Sequence, residues 1–244
     1  MRTRTLTLTS AAGGVALLAA AALPATAETV PGPLRGPGAA PASAVQEDGA
    51  AVTAAELLAE VRSCTRISKG RYRTDSGRAK ATVPVCGTTD AVFWKADMDI
   101  DCDGRETAVC NKRTDPYFLP ETAFRTSRGE PLDSAALPHV VVPGPSGVWD
   151  YRTAGLTGGS VVAVVYRDRV RYGVIGDTGP AGIIGEASYA MARELGIDPD
   201  PVSGGAESGV TYIAFKDSRI ASIEDGALAR SRGEELAGKF VTGP

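Results

Sequence analysis

Two carboxylates stand between glycines in the stretch GVIGDTGPAGIIGEASYAMARELGI, residues 173–197. Asp177 closes an apolar, strand-like run and is flanked by Gly176 and Gly179, whose freedom lets a ligand approach the backbone closely. Glu186 follows Gly185 at the point where the apolar period lengthens to three or four residues, the start of an expected helix. The structural role for a Glu in that place is to offset the helix dipole. Its chemical role is one half of an acid and base pair, because cleavage of a glycosidic bond needs a protonated and an ionised carboxyl on either side of the scissile linkage.

A second acidic group lies upstream in KADMDIDCDG, where Asp97, Asp99, Asp101 and Asp103 occupy alternate positions. Along a strand this spacing points all four to one face and Met98, Ile100 and Cys102 to the other. Like charges in such a row repel. The row therefore fits a face that meets a cation, either a metal or a polymer of amines, or a solvated edge strand. From Asp99 it matches the opening of an EF-hand loop, but the twelfth position is Cys110 where that loop needs a bidentate Glu.

Other chemistries lack their residues. His139 is the single histidine of the chain, which rules out a histidine-rich metal centre, and no GxSxG elbow accompanies it. No P-loop and no GxGxxG occur, so no nucleotide or other cofactor is expected.

The elements that must position these residues are short and mostly β. KATVPVCG, AVFWKADMDI, PHVVVPG, GSVVAVVYRDRVRYGVIGD and GVTYIAFKD are β-prone runs bounded by Gly, Pro or Asp. Residues 160–166 and 170–175, joined through Arg-Asp-Arg, form an expected hairpin with a buried first arm. Ala187, Ala190, Met191 and Leu195 outline a helix of about ten residues closed by Gly196. Another helix starts near Thr53, with Glu56 three residues on as its capping-box partner. Strands do not alternate regularly with helices, so a mainly β, single-domain barrel with few helices is expected rather than a doubly wound sheet.

The 244 residues divide into three stretches. Arg2 and Arg4, the apolar run from Val15 to Leu23, and Ala25-Thr26-Ala27 make residues 1–27 an expected signal peptide, too short in its apolar run to span a bilayer. Residues 28–50, dense in Pro, Ala and Gly, form an expected disordered lead-in to a folded domain over 51–244. Losing Arg2 and Arg4 lowers the 26 basic residues to 24 against 29 acidic ones, and the net charge from -3 to -5. That balance argues against binding a nucleic-acid backbone and suits a cationic partner. The four cysteines of this exported chain read as disulfides, Cys64 with Cys86 and Cys102 with Cys110, since neighbours close the shorter loops.

The combination FWKADMDIDCDG, VVAVVYRDRVRYGVIGDTGP, IIGEASYAMARELG and GVTYIAF resembles the glycoside hydrolase family 75 chitosanases over most of residues 64–217. The resemblance implies a compact six-stranded double-psi-like β-barrel and endo-hydrolysis of chitosan, β-1,4-linked glucosamine, with inversion. It also implies that Asp177 and Glu186 are catalytic. The expected mechanism gives Glu186, sheltered by Ile183 and Ile184, the acid role and Asp177, at the open turn, the base role. Asp97, Asp99, Asp101 and Asp103 would hold ammonium groups, with Thr178 and Tyr172 also at the substrate. Trp94, Trp149 and Tyr172 are candidates to stack on sugar faces, and the enzyme is expected to act as a secreted monomer. The rival readings are a non-cutting expansin-like polysaccharide binder, a β-glucanase of related fold, and a calcium-stabilised interaction domain.

Overall fold

A computed structural model describes residues 51–77 and 80–243. The expected signal peptide and lead-in lie outside the described residues. Helix α1 (Ala54–Glu60) begins as its sequence predicts: Thr53 caps it, with the Thr53 and Glu56 side chains bonding each other's backbone N–H.

Seven strands follow: β1 (Cys86–Gly87), β2 (Ala91–Asp101), β3 (His139–Pro143), β4 (Val161–Tyr166), β5 (Arg169–Gly179), β6 (Glu186–Ser188) and β7 (Ala206–Phe215). Neighbours run in the order β1-β2-β6-β3-β5-β4-β7, and β2 also pairs with β7. Strands β2 to β7 therefore close into a six-stranded barrel, with β1 added outside the ring. Pairing is antiparallel except for β2 with β6 and β3 with β5. The expected hairpin is β4 with β5; Tyr166 pairs with Arg169 across a tight turn in which Arg167 takes a positive φ of 57°.

Alternation along the strands sorts the apolar side chains into two layers. Val92, Trp94, Met98, Val140, Val142, Val162, Val164, Ile175, Ala187, Val210 and Tyr212 come from all six barrel strands and fill the interior. Phe93, Val161, Ala163, Val165, Val174, Ile213 and Phe215 point outward and are covered by α1 and by α3 (Gly226–Thr242). Helix α3 has no strong periodic signal in the sequence. Its buried positions are the small residues Ala229, Gly233 and Ala237, which leave almost no large apolar stripe to mark it.

Two boundaries differ from expectation, and both bear on the site. Strand β5 runs on through Asp177 to Gly179, so Asp177 lies within a strand and is only 7% exposed. Glu186 is the first residue of β6, and the helix α2 (Tyr189–Leu195) starts three residues later on its own cap, Ser188, whose hydroxyl accepts from the Met191 N–H. No helix dipole acts on Glu186 directly. Backbone pairing of Glu186 with Asp99 and Val141 on both sides outweighed the helical period of the residues after it.

Both disulfides form as expected, Cys64 with Cys86 and Cys102 with Cys110. Among the described residues no helix is long and apolar enough to cross a membrane.

Candidate active site

Sheet register assembles the two acidic groups. Glu186 pairs with Asp99 of β2 on one side and with Val141 of β3 on the other, and Val141 in turn pairs with Asp177 of β5. Val140 and Val142 point into the barrel, so the row Asp99, Glu186, Val141, Asp177 points out of it. Asp177 and Glu186 are thus two strand spacings apart, about 10 Å between backbones. The next row on the same outer face holds Asp101, which pairs with Ser188.

Two glycines make this register possible. At Gly185 φ is +118°, and a Cβ there would lie 2.1 Å from Asp97 Oδ1. At Gly176, beside the irregularity that carries β3 from Ile175 to Asp177, a Cβ would lie 2.5 Å from the ring of His139. Each lets a neighbouring acid reach the outer face while an acidic or aromatic side chain occupies the space a Cβ would need.

The segment between β2 and β3 folds over this face without strands of its own and supplies donors to it. The Ala123 N–H donates to Asp177 Oδ1 at 2.7 Å, and the Thr178 N–H to the same oxygen at 2.6 Å, so Oδ2 is the oxygen left for a reacting proton. The Leu119 N–H donates to Asp103 Oδ1 at 2.6 Å. One carboxylate oxygen each of Asp101, Asp103 and Asp177 lie within 4.8 Å of one another, the grouping among the described residues closest to a metal-binding set.

Burial in this crowd of like charges raises the acids. Glu186 is pushed well above its ordinary value, first by loss of hydration and then by Asp101, Asp99, Asp103 and Asp177. Asp177 is pushed up to about 6 by burial and then by Asp101, against the lowering effect of its two N–H donors and of His139. Burial also takes Asp103 to about 7, opposed by the Leu119 N–H and reinforced by Asp101, Asp177 and Asp115. Asp99 is raised mainly by burial, with Asp75 and Glu207 adding to it.

A groove of about 420 Å³ opens over the row. Its walls carry seven carboxylates, Asp75, Asp99, Asp101, Asp103, Asp115, Glu186 and Asp200, and no lysine, arginine or histidine among the described residues lines it. Asp177 does not line the groove itself. Glu186 does, half-buried.

Not every expected site residue gathers here. Asp97 keeps the outward alternation of β2, but its carboxylate occupies the space beside Gly185 and lies outside the groove; the register shift opposite it comes from the extra residues 207–209 of β7. Thr178 pairs with inward-pointing Val142, so its side chain leaves the outer face and its contribution is the N–H to Asp177. Tyr172 lies on the far part of β5 in the outward layer, beneath Gly233 of α3. Trp94 stacks on Tyr212 inside the barrel with ring centroids 5.2 Å apart, and Trp149 is buried in the same interior. The aromatic at the groove is Tyr117, 88% exposed, in a turn where the buried Asp115 carboxylate accepts the Tyr117 N–H. DPY, residues 115–117, carries that turn signal in the sequence but has no periodic pattern to link it to the groove.

An acidic groove with a pair of raised carboxylates on a rigid barrel wall is a site for acid and base work on a cation-bearing ligand. The family described as fungal chitosanase of glycosyl hydrolase group 75 matches residues 98–237, and the chain belongs to it. The chain is 34% identical over 172 residues to an endo-chitosanase of Aspergillus oryzae, covering 62% of this chain and 70% of that protein. It is 27% identical over 222 residues to endo-chitosanase C of the same species, covering 84% and 56%. An endo-chitosanase of Aspergillus fumigatus is 31% identical over 142 residues, covering 53% and 59%.

Proposed function

We propose that this protein is a secreted endo-chitosanase that cleaves β-1,4 bonds between glucosamine units by inversion, with Glu186 as the acid and Asp177 as the base. The observation that carries the reading is the placement of two raised acids two strands apart on one barrel face, with Glu186 in the wall of a groove whose charged lining is entirely acidic. A polymer bearing an ammonium group on each sugar is attracted along such a groove, and an anionic polymer is repelled. Family membership and the names of the Aspergillus relatives support the same substrate.

In this reading Glu186 reaches bonding range still carrying its proton and delivers it to the glycosidic oxygen. Asp177, its Oδ1 held by two N–H groups, uses Oδ2 to take a proton from the water that attacks the opposite sugar face. Inversion needs room for that water, and a separation of two strands supplies it. Tyr117 offers a ring face to a sugar, and Asp99, Asp103, Asp115 and Asp200 offer oxygens to ammonium groups. Export follows from the expected signal peptide and fits the two disulfides.

The test is reducing-sugar release by the mature chain from soluble chitosan beside carboxymethyl cellulose, with the first-formed anomer read by proton NMR. Chitosan cleavage with an α-anomeric product is expected. Because Asp177 must be ionised, kcat/KM should fall below pH of about 6. Chitosan bound but uncut sinks the catalytic assignment in favour of a polysaccharide binder, and a β-anomeric product sinks inversion.

A further inference from the structure

His139 and Asp101 form a buried pair that the proposed reaction leaves unused. The imidazole is fully buried on the outer face of β3, in the row next to Asp177 and Glu186. Its position is over-determined. The missing Cβ of Gly176 makes room for the ring, the Ser188 hydroxyl accepts the His139 N–H at 3.0 Å, and that hydroxyl donates to the Leu137 carbonyl at 2.9 Å. Ring nitrogen Nδ1 faces the same Leu137 carbonyl at 3.2 Å, and Nε2 faces Asp101 Oδ2 at 3.2 Å. Asp101 is itself 5% exposed, and its other oxygen accepts the Asp103 N–H at 2.8 Å.

Hydrogen-bond bookkeeping fixes the charge of this pair. A carbonyl only accepts, so Nδ1 must carry a hydrogen. A bare Nε2 against a bare carboxylate would set two lone pairs together in a dry site, so one further proton lies between them. Whichever of the two atoms holds it, His139 and Asp101 together are neutral. Both oxygens of Asp101 are thereby occupied, which removes it from the residues expected to hold ammonium groups.

We propose that His139 is a positioning residue that cancels the charge of Asp101 and so sets the proton balance between Asp177 and Glu186. This rests on the acid and base reading of those two residues. The other charged groups acting on them are Asp99 on β2 and Asp103 in the segment after it, with Asp115 beside Asp103, all acidic, so His139 is the only countercharge there among the described residues. Asp101 is the neighbouring charge that acts most on both acids, and cancelling it keeps Asp177 able to ionise while Glu186 retains its proton.

The experiment follows the Asp177 carboxyl through a pH titration by carbon-13 NMR in the mature chain, with Asp177→Asn to assign the signal. His139→Gln keeps an N–H for Asp101 but removes the countercharge, and its Asp177 midpoint should rise by about one pH unit. Asp101→Asn replaces a neutral pair by another neutral pair and should leave the midpoint near the wild-type value. The double variant should restore it. An unmoved midpoint in His139→Gln, or a midpoint lowered by about a unit in Asp101→Asn, overturns the proposal, and the second arm decides even where the first variant does not fold. The acid limb of kcat/KM on chitosan should track these midpoints. Absence of chitosan cleavage by the wild type would overturn the functional reading while leaving the titration result standing on its own.

Discussion

Glu186→Gln is expected to lower kcat on chitosan by about 10³- to 10⁴-fold, with Asp177→Asn similar, while both variants stay folded. Each keeps the shape of the side chain, so the sheet register that places residues 177 and 186 is retained. The same Glu186 change should raise the melting temperature, and the gain should grow with pH. The sign follows from the direction of the shift. Burial raises the folded-state value of Glu186 above its unfolded one, so its contribution to stability is complete below the unfolded value and disappears as pH rises through the folded one. Asp177, raised to about 6, behaves alike, and its loss of stability lies between about pH 4 and 6. Calorimetry of both variants from pH 4 to 8 beside activity measurements checks the pair of effects. Lost activity with no stability gain at pH 8 would mean that Glu186 is not held against its own ionisation, and the acid assignment would fail. A stability gain with activity retained would make the carboxylates structural.

The sequence made some of this site legible and hid the rest for physical reasons. Asp177 and Glu186 stood out because glycines frame them, and the hairpin β4–β5, the capping box at Thr53 and both disulfides are local events that short stretches determine. The row of four aspartates was read from alternation alone. Asp97, Asp99 and Asp101 obey it, but Asp97 is taken out of the groove by packing beside Gly185, 88 residues on in the chain. The burial of Asp177 was equally invisible, because it depends on β3, β5 and the covering segment meeting at one place. Size alone makes the large aromatic side chains candidates for sugar platforms. Trp94, Trp149 and Tyr172 serve in packing, and the exposed ring at the groove belongs to Tyr117, in a turn with no periodic pattern to link it to the acids. His139 was seen only as an isolated histidine, since its partner Asp101 is 38 residues earlier.

The two disulfides should prove unequal in what they protect. Cys102 and Cys110 are buried in a cluster whose only other fully packed member is Phe118, with Ala135 and Tyr189 partly buried against it. Such a small cluster cannot order the segment between β2 and β3 by burial alone. Closing its short loop contributes about 2–3 kcal/mol in the chain-entropy account. That segment brings Asp103, Asp115 and Tyr117 to the groove and aims the Ala123 N–H at Asp177. Cys102→Ala/Cys110→Ala is therefore expected to cost at least about 100-fold in kcat/KM on chitosan, an effect of the size seen when a catalytic group is misplaced. The stability lost with that bridge falls on local ordering of the segment and not on the barrel, which its own interior and α1 and α3 should keep melting within a few degrees of wild type. Cys64→Ala/Cys86→Ala should do the opposite. That bridge ties the chain after α1 to β1 and the barrel flank, far in sequence from both acids, so stability should fall by about 3 kcal/mol while kcat per folded molecule is kept. Kinetics and melting of the two double variants, measured side by side, decide the matter. Full activity without the Cys102–Cys110 bridge would show that the covering segment orders itself, and the hydrogen bonds of Asn111 and Asp103 would then be the features that hold it.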